Sequence, residues 1–142
     1  MAKGTASNGY FWYRFVDVNN FDYLWSDVGF TLDVHRAGLT SQKNLSSAWG
    51  NGSVPRTLTR VFDGTHAGNT LRINGTDQSM TNGSTSDPGT SAISAALSVF
   101  ASFSGTSPEP GTLGEIVVYS RALSAGEVQT LEGYFRGRYG HY

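Results

Sequence analysis

The chain has 142 residues, a formal net charge of −1 and no cysteine. This length suits a single domain over residues 1–142 with a core of its own. The lack of cysteine excludes a disulfide framework and a thiolate zinc site. The balanced charge argues against nucleic acid as a partner, and no apolar run reaches the roughly 20 residues that membrane insertion by a helix needs. The N-terminus also lacks the continuous apolar stretch of a secretory signal.

Three segments near the N-terminus alternate in the way that β-strands do. In "YFWYRFV", Phe11, Tyr13 and Phe15 are expected on one side of the strand, and in "FDYLW" the three aromatic residues share a face. In "FTLDVHR", the apolar residues are expected to face the core, and Asp33 and His35 the polar side. The sequence therefore predicts consecutive antiparallel strands.

The middle of the chain predicts a second strand pair. "TLTRVFDG" and "TLRING" flank a turn, and Asn74-Gly75 is a type I′ hairpin signal that leads into "TDQSMT". Loops rich in Gly, Ser, Thr and Pro separate two later predicted strands, "ALSVFASF" and "LGEIVVYS". About eight short strands at this spacing are typical of a β-sandwich. The expected core residues of this part are Leu58, Phe62, Leu71 and Ile73.

The end of the chain changes to a helical period. Ser124 and Glu127 have the spacing of a capping box, and Gly140 is placed to end the helix. The sequence predicts a helix near residues 124–139, with Leu131 and Phe135 anchoring it to the sandwich. The full apolar stripe is Val128, Leu131, Tyr134 and Phe135. The predicted fold class is thus all-β, an antiparallel β-sandwich with one C-terminal α-helix.

Three stretches resemble the concanavalin A-like, laminin-G-like jelly rolls of bacterial and phage proteins. "GTLGEIVVYSRALSAGEVQTLEGYFRGRYG" is similar to their C-terminal signature, a strand, an Arg-Ala-Leu-Ser turn and a helix ending in Tyr-Gly. "RVFDGTHAGNTLRINGT" resembles their central hairpin, and "YRFVDVNNFDYLW" an early strand pair. The resemblance implies a jelly roll. The chain is short for the family, which implies trimmed sheets or an edge completed by another subunit.

The sequence does not predict an enzyme. Glycoside hydrolysis, the reaction that the resemblance would suggest, needs two carboxylates about 5–10 Å apart. The family's glucanases carry Glu-x-Asp-x-(x)-Glu on one strand, and this pattern does not occur here. Asp33 has no spaced acidic partner, and the sequence contains neither a nucleophile elbow nor a P-loop. No catalytic residue is therefore predicted.

Aromatic and polar side chains are the candidates for ligand binding, because aromatic rings can stack on sugars. Trp12 and Trp25 are expected in the core, whereas Trp49 lies in the polar loop "LSSAWGNGSVP". His35 beside Asp33 could contact a ligand, although a surface histidine without that role accounts for the same pattern. The predicted ligand-binding residues are Trp49, Asp33, His35 and Arg72.

No cofactor and no metal site are predicted. The turn "DVNN" could supply oxygens from Asp17, Asn19 and Asn20 to a calcium ion. An Asx turn accounts for the same residues without a metal.

Two functions remain open. The chain is predicted to be a structural or adhesive component of a bacteriophage virion, such as a capsid decoration or a tail-fibre protein that binds its receptor. The alternative is a carbohydrate-binding module at a bacterial cell surface or outside the cell. The partners expected are other virion proteins, further copies of the chain, or a cell-surface glycan.

A homo-oligomer is expected because a trimmed jelly roll leaves strand edges open, and open edges must be paired or covered. Protection by lysine is sparse, since the chain has only Lys3 and Lys43. Trp49 and the loops at residues 40–55 and 81–92 are the predicted contact or ligand surface.

Overall fold

The computed structural model describes residues 2–4, 9–26, 30–45, 55–101 and 111–140. Eleven strands and one helix lie in these ranges. In chain order they are β1 (Ala2–Gly4), β2 (Gly9–Asp17), β3 (Asn20–Ser26), β4 (Phe30–Arg36), β5 (Leu39–Leu45), β6 (Leu58–Val61), β7 (Thr70–Ile73), β8 (Thr76–Asp77), β9 (Thr81–Thr85), β10 (Ser98–Val99), β11 (Gly111–Leu113) and α1 (Ala125–Tyr139).

The larger sheet has six strands in the order β10-β2-β3-β4-β5-β9, and every neighbouring pair is antiparallel. Its centre is a meander of β2 to β5, in which β2, β3 and β4 correspond to the three consecutive strands that the sequence predicted and β5 was not predicted. A two-residue turn at Ala37-Gly38 joins β4 to β5, and both residues have positive φ, 50° and 79°. Such turns match the twist of the strands that they connect, so they fix the register of the hairpin.

The smaller sheet has the order β6-β7-β8 and packs against the larger one through the core. The type I′ turn predicted at Asn74-Gly75 is confirmed, since both residues have positive φ, 50° and 75°. The core cluster joins residues of both sheets: Phe11, Leu24, Phe30, Leu32, Leu45 and Leu71. The described chain is thus an antiparallel β-sandwich with one C-terminal helix, as the sequence predicted.

The predicted core of the smaller sheet is confirmed in part. Leu71 is buried, with 1% of its surface exposed. Leu58 and Ile73 are partly buried and pack against the core cluster. Phe62 is half-buried and follows the end of β6.

The prediction that Phe11 lies on the same side of β2 as Tyr13 and Phe15 is wrong. A β-bulge between Tyr10 and Trp12 interrupts the register with β3, and it turns Phe11 into the core against Phe30 and Phe100. Tyr13 and Phe15 stay on the other side of the sheet, where they stack on residues of β3. A bulge inserts one extra residue and so breaks simple alternation.

The predicted strand "LGEIVVYS" is wrong. The ladder at this point of the chain is β11, which pairs with β1 from Gly111 to Leu113, and residues 114–119 carry no strand. The β-branched and aromatic residues that favour a strand are present, but a strand also needs a partner for its backbone groups. The segment therefore runs toward the helix outside any sheet.

Strands also differ from prediction in the two loop regions. β9 covers Thr81–Thr85, which was expected as a loop, and pairs with β5. Of the predicted strand "ALSVFASF", residues 96–101 are described, and among them Ser98–Val99 forms a ladder, while Ser102 and Phe103 lie outside the described residues. The region 40–55, expected as a loop, begins inside β5.

The helix agrees with the prediction at both ends. Ser124 and Glu127 form the capping box, and Gly140 closes the helix with φ of 60°. Val128 and Phe135 are buried, but Leu131 is half-buried and Tyr134 is 46% exposed. The anchoring stripe is therefore narrower than the sequence indicated.

Candidate ligand-binding face

The face of the larger sheet opposite the core carries aligned aromatic rings, which we call the aromatic face: Tyr13, Phe15, Phe21, Tyr23 and His35. The strand register brings them together, since Tyr13 lies opposite Tyr23, Phe15 opposite Phe21, and Phe21 opposite His35. Residues two apart on a strand share a side, so β2, β3 and β4 each present their rings in one direction.

The rings of the aromatic face are nearly parallel. Phe21 and Tyr23 have centroids 5.7 Å apart and planes 1° apart, and Phe21 lies 3.9 Å from the His35 ring. Tyr13 stacks on Tyr23 at 6.3 Å and Phe15 on Phe21 at 6.2 Å. All of these residues except Tyr13 are half-buried. The face is thus an ordered apolar surface that is partly open to solvent.

Asp33 organises the polar side chains at the edge of this face. Its Oδ2 accepts hydrogen bonds from the Tyr23 hydroxyl at 2.9 Å and from Gln42 Nε2 at 3.1 Å. Its Oδ1 lies 3.2 Å from His35 Nε2. Thr40 Oγ1 lies 3.0 Å from the same nitrogen. One carboxylate therefore fixes the positions of a phenol, an amide and an imidazole.

Asp33 lies on the side of β4 opposite the core, as expected, but it does not face solvent, since only 3% of its surface is exposed. The tyrosine, histidine and glutamine side chains around it cover the carboxylate. Asp33 is therefore a positioning residue, and the groups that a ligand could reach are Tyr23, His35 and Gln42. Gln42 was not predicted. The two-residue turn "AG" could have indicated it, because that turn places Gln42 directly opposite Asp33.

The other predicted ligand residues do not lie on the aromatic face. Arg72 lies in β7 of the smaller sheet, where Nε donates to Glu132 Oε1 at 2.9 Å and Nη1 donates to Asp77 Oδ1 at 2.6 Å. The hydrogen bond to Glu132 raises the pKa of Arg72 above its ordinary value. Arg72 thus links the sheet to the helix. Trp49 lies outside the described residues.

The two tryptophans expected in the core have different places. Trp12 packs against the core cluster, and its Nε1 donates to Asp22 Oδ1 at 2.6 Å. Trp25 lies one residue after Leu24 on β3 and so points to the side of the aromatic face, where it is half-buried.

A cavity of about 860 Å³ lies on the core side of the larger sheet, bounded also by β6, by residues 113–123 and by the helix. Asp22 and Arg36 in its wall are buried and form an ion pair at 3.0 Å. Arg36 also donates to the carbonyls of Phe21 and Ser91, at 3.0 Å each. These charges hold structural elements together and are already compensated.

Two further arginines border the cavity. Arg60 donates to the carbonyl of Tyr23 at 3.3 Å, and burial lowers its pKa while Asp22 acts against this shift. Arg14 donates to the carbonyl of Ile93.

Ser41, His66 and Asn82 form the one serine–imidazole arrangement among the described residues that resembles a nucleophile with its base. Ser41 Oγ lies 3.0 Å from His66 Nδ1, and His66 Nε2 lies 3.0 Å from Asn82 Oδ1. Ser41, however, has no exposed surface, and its hydroxyl accepts a hydrogen bond from Asn69. A substrate cannot approach this oxygen, so the arrangement is a structural hydrogen-bond network.

The "DVNN" turn is held by its own side chains. Asp17 Oδ1 accepts from the Asn19 backbone N–H at 2.8 Å and from Asn20 Nδ2 at 3.1 Å. This is the Asx turn that the sequence left open as the alternative to calcium. The described part of the chain holds no cluster of three or more His, Asp or Glu side chains suited to a metal ion.

Comparison of the chain with family models, with curated proteins and with solved structures finds no match. The resemblance to concanavalin A-like jelly rolls therefore stays a prediction. Within the described ranges, no helix has both the length and the hydrophobicity to cross a bilayer.

Proposed function

We propose that this protein is a non-enzymatic adhesive module that binds a cell-surface glycan through the aromatic face. A sugar ring offers apolar C–H groups together with hydroxyls, so it needs aromatic contact area and hydrogen-bonding groups side by side. The observation that carries the proposal is the parallel array of Phe21, Tyr23 and His35, edged by the Asp33 hydrogen bonds.

The carboxylates support binding without hydrolysis. Asp22 and Asp33 lie on opposite sides of the sheet, since Asp22 pairs in register with Val34 and not with Asp33. Glu132 is held by Arg72, and Glu127 belongs to the helix cap. Asp22 and Asp33 therefore cannot flank one glycosidic bond from two sides, as hydrolysis requires, and Glu132 and Glu127 are engaged in other contacts.

We further propose that the module belongs to a bacteriophage particle, as a decoration or receptor-binding protein. The observation that favours a place in an assembly is the apolar surface of Ile116 to Tyr119, each 41–55% exposed, which suits burial against another protein. A carbohydrate-binding module at a bacterial surface is the alternative, and it would use the same aromatic face. The two functions can be distinguished by the neighbouring genes: capsid and tail genes would support the first, and a polysaccharide-utilisation cluster would support the second.

The binding proposal is tested by titrating the protein with purified bacterial surface polysaccharides while recording the NMR signals of its aromatic and histidine side chains. We expect shifts at His35 and Tyr23 on binding. Phe21→Ala should weaken binding at least about fivefold, since stacking of a flat ring on an aromatic side chain contributes about 1 kcal/mol or more where nucleic-acid bases are bound in this way.

Leu39→Ala is the matched control, because Leu39 is an exposed apolar residue, 49% accessible, in the same sheet but outside the aromatic face. It should bind as the wild type does. A set of shifts confined to residues outside the aromatic face, or full binding by Phe21→Ala, would contradict this site. Reproducible release of reducing sugar would contradict the absence of catalysis.

A further inference from the structure

The stretch between β11 and α1 combines features of a strand with an open backbone. Residues 115–121, "EIVVYSR", which we call the terminal segment, contain β-branched and aromatic residues that favour extended structure. In the described chain no ladder includes its residues 115–119. The backbone of residues 116–119 can therefore form a ladder with another strand.

The side chains of the terminal segment are exposed to an extent that is unusual for their type. Ile116 is 44% exposed, Val117 41%, Val118 55% and Tyr119 50%. Four adjacent large apolar residues outside any described ladder form the kind of surface that folded proteins pair or cover. A single exposed residue such as Leu39 does not have this effect, because it is paired with Arg36 in the larger sheet.

We propose that the terminal segment pairs antiparallel with the same segment of a second copy, about a two-fold axis at Val118. In this register Val118 faces its own copy, Val117 faces Tyr119, and Glu115 faces Arg121. Opposite charges therefore meet at both ends of the ladder, and β-branched and aromatic residues meet at its centre, which are favourable cross-strand pairs. A two-fold axis makes each contact occur twice.

The contacts of the two charged residues within the chain are compatible with this pairing. Glu115 accepts from the Tyr139 hydroxyl at 3.0 Å and from the Tyr134 hydroxyl at 3.2 Å, and it lies 3.4 Å from Arg138 Nε. Its side chain remains 29% exposed, so the arginine of a second copy can approach the carboxylate while these contacts persist. Arg121 is 60% exposed at its side chain while it contacts Glu127, so a second copy can reach it. The net charge of −1 gives little repulsion between copies.

The position of the axis can be tested by cross-linking, because the chain has no cysteine of its own. In an antiparallel pair, residues directly opposite have Cα atoms about 4.5–5.5 Å apart, which is within disulfide range. Val118→Cys should form a covalent dimer under mild oxidation. Val18→Cys is the control, because Val18 lies in the β2–β3 turn, far from the proposed axis in sequence, and is 73% exposed. It should cross-link more slowly. Equal rates for the two variants would overturn the proposal.

Sedimentation equilibrium tests the pairing itself. The wild type should show a monomer–dimer equilibrium, and Val118→Lys should raise the dissociation constant at least about tenfold, because two like charges then face each other across the axis. Val18→Lys should leave the constant unchanged. A strictly monomeric wild type, as expected if the terminal segment instead closes onto its own cavity wall, would overturn the proposal.

A charge exchange tests the register. Glu115→Arg and Arg121→Glu should each weaken the dimer, since each places like charges opposite one another. The double variant should dimerise more tightly than either single variant, because opposite charges face each other again. The losses of contacts within one chain are common to the single and double variants, so recovery reports the contact between copies. Additive weakening in the double variant would exclude this register. The test does not depend on whether the aromatic face binds a glycan.

Discussion

The β2–β5 meander and the terminal segment have similar sequence patterns and different structures. Both are rich in the β-branched and aromatic residues that favour extended structure. In the meander, strands that follow one another in the chain pair with each other, as β4 and β5 do through the two-residue turn between Arg36 and Leu39. The terminal segment has no neighbour of this kind, and its residues 115–119 carry no ladder. Residues that favour a strand therefore lead to a sheet here only where the backbone has a partner, whether across a short turn, as between β4 and β5, or from a distant part of the chain, as between β2 and β10.

The largest difference between the two regions should appear in core substitutions. Leu32 in β4 has no exposed surface, whereas Leu131 on the helix is half-buried. Leu32→Ala should lower the free energy of unfolding by about 2–5 kcal/mol. Leu131→Ala should cost about half of that or less, because cost scales with the area removed from water. Urea denaturation followed by tryptophan fluorescence measures both values.

A loss at Leu131 equal to that at Leu32 would mean that the helix is packed as tightly as the meander. A change below about 0.5 kcal/mol at Leu131 would mean that the helix is detached from the sandwich and contacts a partner instead.

The second prediction concerns the polar link between the helix and the smaller sheet. Glu132 is 5% exposed and accepts two hydrogen bonds from Arg72. Glu132→Ala should cost about 1–3 kcal/mol, because it leaves part of the guanidinium without a partner. Arg72 keeps Asp77, so the loss should be below that of a fully buried pair. Glu127→Ala, in the exposed helix cap, is the comparison variant and should cost less.

The sequence correctly predicted those structural elements that are determined by residues close together in the chain. The helix boundaries follow from Ser124, Glu127 and Gly140, which act within one turn of the backbone. The hairpin at Asn74-Gly75 follows from the positive φ that these two residues tolerate. Both predictions are confirmed because no distant part of the chain is needed to decide them.

The candidate site was predicted only in part for the opposite reason. Asp33 and His35 share one face of β4, as the alternation predicts, but the burial of Asp33 depends on Tyr23 and Gln42 from two other strands. The position of Phe11 in the core depends on the β-bulge in the pairing of β2 with β3. These are properties of strand pairing, and alternation along a single strand does not contain them.

A matched pair of isosteric substitutions sharpens the comparison. Val34 in the meander is 1% exposed and Val117 in the terminal segment is 41% exposed. Val34→Thr should cost about 1–3 kcal/mol, because it buries a hydroxyl in place of a methyl group. Val117→Thr should change the free energy of unfolding by less than about 0.5 kcal/mol. Measurements at low protein concentration keep association out of the result, and equal costs would show that the terminal segment is packed like a strand.

The smallest effect is expected from pH at the exposed start of the helix. Hydrogen bonds from Arg121 and from the Ser124 backbone and hydroxyl lower the pKa of Glu127 to about 2, from an ordinary value of 4.5. A folded-state pKa below the unfolded one means that the ionised carboxylate stabilises the folded state. This contribution is complete above about pH 4.5 and disappears as the pH falls toward about 2. The difference in stability between the wild type and Glu127→Gln should therefore be greatest near neutral pH and shrink below pH 4.5. Thermal unfolding of both proteins at several pH values measures this difference, and acid effects common to both cancel.

Arg121→Gln should reduce the same pH dependence, since Arg121 is the largest cause of the lowered pKa of Glu127. Because these contacts are exposed, added salt should weaken them as well, whereas the loss at Leu32→Ala should hardly change with salt. A difference that is independent of both pH and salt would mean that Glu127 acts through packing, as the meander residues do, and not through its charge.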